Sequence, residues 1–131
     1  MIDVDDLINK ALQVIRDRGD FGKVCFIILY GSSVEGRFGE DSDIDLCIYY
    51  NGSVDEASNY RLEVLSELLN DIYDIQIFNH LPLYIRKDVL KGRVLYNRDR
   101  YFLHDTAYRI IKEFEDFKKY FYDYIGLEKI T

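Results

Sequence analysis

Apolar side chains at Val4, Leu7, Ile8, Ala11, Leu12 and Ile15 recur every three or four residues, the spacing of one helix face, and Gly19 ends the run. The pattern then changes. Val24 to Tyr30, VCFIILY, is apolar throughout and rich in branched residues, as expected of a central strand covered on both faces. Ile44, Leu46 and Ile48 alternate with Asp43, Asp45 and Cys47, the period of a strand, and Asn51-Gly52 supplies its closing turn. A second helix is expected over Asp55 to Ile72 on a stripe of Leu62, Leu65, Leu68, Leu69 and Ile72. A third strand follows, with Ile75 and Ile77 on one face and Asp74 and Gln76 on the other. Pro82 suits the first turn of a short helix that Gly92 terminates, and Val94 to Asn97 reads as a last short strand. From about Asp99 to Ile125 helical spacing returns, now carrying nine aromatic residues. No linker, repeat or composition break interrupts residues 1–131, so one α/β domain is expected.

Composition narrows the options. A chain of 131 residues that is 48% apolar can build one real core, and 31% charged residues with little low-complexity sequence argue against disorder. A net charge of −7 disfavours direct nucleic-acid binding, which needs an excess of Lys and Arg to neutralise phosphates. It leaves room for a basic protein partner. Cys25 and Cys47 both fall inside predicted strands, so buried thiols are expected rather than a disulfide or zinc site. The first ten residues are acidic and amphipathic, unlike a signal peptide, and no apolar run spans a membrane. A cytoplasmic protein is expected.

The chemistry concentrates in YGSSVEGRFGEDSDIDL, Tyr30 to Leu46, which holds three glycines, three serines and five acidic residues between two strands. Asp43 and Asp45 are two apart and project from one face, where like charges repel and lose hydration. A cation between them relieves that cost, and hard oxygen ligands of this kind suit magnesium together with substrate phosphates. If the Asp74 strand pairs beside them, a third carboxylate reaches the same point, and such a set can serve in-line phosphoryl displacement around two metals. Gly31 lets a phosphate approach the backbone, Ser32 and Ser33 add hydroxyls, and Arg37 is the nearest cation. Gly36 and Gly39 allow the loop to fold back over a triphosphate. Two other motifs fail on their residues. Gly31 to Gly36 lacks the Lys and hydroxyl residue of a P-loop, and Asp41-x-Asp43-x-Asp45 meets Leu46 and Gly52 where a calcium loop needs Gly and Glu.

Gly31-Ser32, ten residues and Asp43-x-Asp45 together resemble the motif of the DNA polymerase beta-like nucleotidyltransferases, and the short chain resembles their minimal nucleotidyltransferase (MNT) group. The resemblance covers most of residues 1–100, including LPLYIRKDVLKGRVLYNRD. It implies that family's fold, a small mixed sheet with helices packed on it. It also implies that Gly31, Ser32, Ser33 and Arg37 hold the nucleotide phosphates and that Asp43, Asp45 and Asp74 are the catalytic, magnesium-binding acids. Many MNT proteins are antitoxins paired with HEPN-domain ribonuclease toxins, so the resemblance implies transfer of AMP from ATP to a tyrosine of such a toxin. Neutralisation by contact alone and transfer to a small molecule are the alternatives. The chain has little room for a separate small-substrate domain, which favours an acceptor that brings its own surface. The aromatics of the last helix exceed what one buried stripe requires, and the surplus suits a protein interface, in a homodimer or a hetero-oligomer.

Overall fold

A computed structural model describes residues 3–31 and 43–125. Helix α1 (Val4–Asp17) begins on Asp3, whose carboxylate accepts from the Asp5 amide, and it buries Ile8, Ala11 and Ile15. Strands β1 (Val24–Tyr30) and β2 (Ile44–Tyr50) follow, then α2 (Val54–Leu68), β3 (Tyr73–Ile77), α3 (Leu83–Val89), β4 (Arg93–Asn97) and α4 (Arg100–Ile125). The four strands form one mixed sheet in the order β3-β2-β1-β4. β1 runs antiparallel to both β2 and β4, and β2 runs parallel to β3. The parallel pair needs a crossover, which α2 provides. At the other edge Gly92 brings β4 in close, since a Cβ there would overlap the Leu29 carbonyl.

The sheet has a core on each side. On one, α1 and α2 cover Ile27, Leu29, Ile44, Leu46, Ile48, Ile75 and Ile77. On the other, α3 and α4 cover Phe26, Ile28, Cys47 and Phe78 through Val89 and Ile110. β1 is therefore enclosed on both faces, as its unbroken apolar run predicts. Cys47 is buried and Cys25 half-buried, and both thiols are free.

The second helix differs from expectation in length and in face. It ends at Leu68, and Leu69 caps it in the left-handed region at φ 49°, so Leu69 and Ile72 leave the helical register. The buried stripe is Ala57, Tyr60, Val64 and Leu68, while Leu62 and Leu69 face solvent. Within that stripe the Tyr60 ring stacks on Tyr50 with centroids 4.3 Å apart. Ser53 and Glu56 close a reciprocal capping box at the start of α2. Ser53→Ala is expected to cost about 1 kcal/mol, read as a lower urea midpoint at unchanged slope.

Helix α4 divides its aromatics. Phe102 packs on Tyr49 with ring centroids 5.0 Å apart, and Phe114 lies under the Lys87 ammonium at 4.3 Å. Tyr101, Tyr108, Phe117, Tyr120 and Phe121 are exposed. Among the described residues, no helix is long and apolar enough to cross a membrane.

Candidate active site

Strand register, not local sequence, assembles the acidic site. In the parallel pair, Asp45 of β2 lies directly opposite Asp74 of β3, and Cys47 opposite Gln76. On the other side Asp45 pairs with Tyr30, the last residue of β1. Alternation then sorts each strand: Asp45, Cys47 and Tyr49, Asp74 and Gln76, and Tyr30, Ile28 and Phe26 all project from the face that α3 and α4 share. That face is polar at the Asp45 end and aromatic at the Tyr49 end. Asp43 stands just before β2, exposed at the rim.

The two facing acids are coupled. Burial pushes the Asp45 carboxyl up to about 6, with the charges of Asp74 and Asp43 and a hydrogen bond with Asp74 adding to the rise. Gln76 Nε2 donates to Asp74 Oδ1 at 3.0 Å, which orients that carboxylate. Tyr30 borders the pair, and burial, with the neighbouring carboxylates adding, holds its phenol above the usual range. Gly31 follows with φ +78°, and a Cβ there would overlap Asp45 Oδ2. Only glycine lets the chain turn off β1 with the Asp45 carboxylate against its backbone.

The structure thus places Gly31, Asp43, Asp45 and Asp74 at one end of the sheet. Ser32, Ser33 and Arg37, with Gly36 and Gly39, lie outside the described residues. Among the described residues, no three His, Cys, Asp or Glu side chains are drawn together at the spacing of a closed metal cage. What the backbone imposes is a facing pair with a third acid at the rim. The donor set would fit magnesium: all three acids offer carboxylate oxygens, and the repulsion among them is a strain that a divalent cation would relieve. Tyr30 is not among the residues expected at the site, although counting forward from Phe26 in steps of two puts it on the Asp45 face.

Comparison with known proteins finds relatives over most of the chain. Residues 10–101 match the family described as polymerase beta, nucleotidyltransferase. A Methanocaldococcus jannaschii protein named as a protein adenylyltransferase, MJ1547, is 38% identical over 97 residues, which cover 74% of this chain and 75% of that protein. A chain of a toxin–antitoxin complex with AMP-PNP superposes with a TM-score of 0.72 at 21% identity, over 90% of this chain and 94% of its own. A chain of the complex between tri-AMPylated Shewanella oneidensis HEPN toxin and MNT antitoxin does so with a TM-score of 0.68 at 19% identity, over 93% of this chain and 95% of its own. At those identities the structural likeness establishes the fold. The family match over residues 10–101 supplies the rest: this chain belongs to the polymerase beta nucleotidyltransferase family.

Proposed function

We propose that the protein is a magnesium-dependent protein adenylyltransferase, an antitoxin that moves AMP from ATP to a tyrosine of a HEPN-type ribonuclease toxin and so silences it. The observation that carries this reading is the cross-strand pair Asp45–Asp74, with Asp45 raised to about 6 by burial and its acidic neighbours. The name of the M. jannaschii relative supports protein as acceptor, and the AMP-PNP and AMPylated-toxin complexes support the donor and the partner.

In this reading the phenolic oxygen of the acceptor attacks the α-phosphorus of ATP. An O–P bond forms, the bond from that phosphorus to the oxygen bridging to the β-phosphate breaks, and pyrophosphate leaves. Asp74, fixed by Gln76, takes the phenol proton. Asp43 and Asp45, with Asp74, would hold magnesium, which would supply charge neutralisation to the phosphates and the departing pyrophosphate. Gly31, Ser32, Ser33 and Arg37 hold the triphosphate. The protein works in the cytoplasm, in a hetero-oligomer with its toxin.

The test is incubation of the protein with ATP, Mg²⁺ and a purified HEPN toxin, followed by intact mass of the toxin. A gain of one or more AMP units, absent with Asp43→Ala/Asp45→Ala, is the expected result. A toxin that is bound and inhibited at unchanged mass overturns it in favour of neutralisation by contact.

A further inference from the structure

A second polar site lies on the same face of the sheet, beyond the acids. A cleft of about 290 Å³ opens between α3 and α4, lined by Tyr49, Asn79, Arg86, Thr106, Arg109 and Glu113. Tyr49 stands four residues after Asp45 on β2, roughly 13 Å along the strand, so the cleft is separate from the acidic pair. Its wall carries unmet hydrogen-bonding capacity. Thr106 is 6% exposed, and its Oγ1 has no partner. Arg86 Nε is likewise buried without a partner. A threonine inside a helix ordinarily turns its hydroxyl back to a carbonyl one turn earlier, and Thr106 does not. Among the described residues, neither Arg86 nor Arg109 forms an ion pair. Asn79 is already committed, donating to the Tyr50 carbonyl at 3.0 Å.

We infer that this cleft binds a phosphoryl group, with Arg86 and Arg109 supplying charge and Thr106 a hydroxyl donor. Buried donors left unpaired carry their full desolvation penalty, and an anion relieves it. The donors belong to two helices, Arg86 to α3 and Thr106 and Arg109 to α4. A tetrahedral phosphate accepts from several sides, whereas one guanidinium fork already satisfies a carboxylate. Glu113 is the one acidic side chain on the lining, four residues after Arg109; its charge opposes an anion, so both guanidiniums are needed to offset it. The inference stands independently of the proposed toxin acceptor.

The experiment is a calorimetric titration of the full chain, in EDTA, with inorganic phosphate and then with ATP. The parent is compared with Arg86→Gln, Arg109→Gln, Thr106→Val and Asp45→Asn, each first shown to melt cooperatively. Saturable phosphate binding that weakens about tenfold or more in Arg86→Gln, and falls in Arg109→Gln and Thr106→Val, is expected. Asp45→Asn leaves it intact. ATP that displaces phosphate and depends on Arg86 identifies a nucleotide phosphate as the source; ATP that does not displace it identifies free phosphate. The inference is overturned by absence of saturable binding, by equal affinity in the Arg86 and Thr106 variants, which means the cleft holds water only, or by loss in Asp45→Asn.

Discussion

Asp45→Asn protein is expected to fold more firmly than its parent and, on the proposed role of Asp45 as a magnesium ligand, to transfer nucleotide roughly a thousandfold more slowly. Both halves come from one feature. Burial, Asp74 and Asp43 raise the Asp45 carboxyl from 3.8 to about 6, so the folded state binds a proton there that the unfolded state has released. Between those two values stability of the metal-free protein falls as pH rises, because the folded state must give up its extra proton; above about 6 the loss is complete. Asn carries no charge and escapes the penalty. Urea midpoints of parent and variant are therefore expected to agree near pH 4 and to separate by pH 7, with the variant higher. Added Mg²⁺ stabilises the parent at pH 7 and the variant far less.

Gly31→Ala is expected to lose activity by about a hundredfold, the loss that a displacement of about 1 Å at a reacting group produces. The backbone there has φ +78°, a region that costs an alanine about 1–2 kcal/mol, and the new methyl overlaps Asp45 Oδ2. The carboxylate must move away from the position opposite Asp74. Gly19→Ala is the control: nothing lies within 4 Å of a Cβ at that position, so activity and urea midpoint stay close to the parent. If Gly31→Ala retains full activity, Asp45 does not act from where the sheet places it.

The strands were legible because their periods are clean. VCFIILY announces a strand enclosed on both sides, and Ile44-Asp45-Leu46 and Asp74-Ile75-Gln76 announce one greasy and one polar face. The Gly31-Ser32 and Asp43-x-Asp45 spacing carried the family, which the match over residues 10–101 confirms. The pairing of Asp45 with Asp74 was only conditional in sequence, since which strand neighbours which depends on the α2 crossover and on long-range register. The stripe of α2 expected from its leucines is not the one that packs, which is Ala57, Tyr60, Val64 and Leu68. Leu62 and Leu69 are exposed while Ala57 and Tyr60 are buried, a choice made by tertiary packing rather than by side-chain hydrophobicity. The cleft between α3 and α4 had no sequence signature, because Arg86 and Thr106 are twenty residues apart and meet only through helix packing.

The most direct measurement follows the label. The protein is incubated with Mg²⁺, a purified HEPN toxin and ATP labelled at either the α- or the γ-phosphate, and the modified tyrosine is recovered. Retention of the α-label alone, abolished by Asp45→Asn, is the predicted result. Retention of the γ-label means phosphoryl rather than nucleotidyl transfer, and that outcome, or a toxin silenced with neither label, contradicts the account.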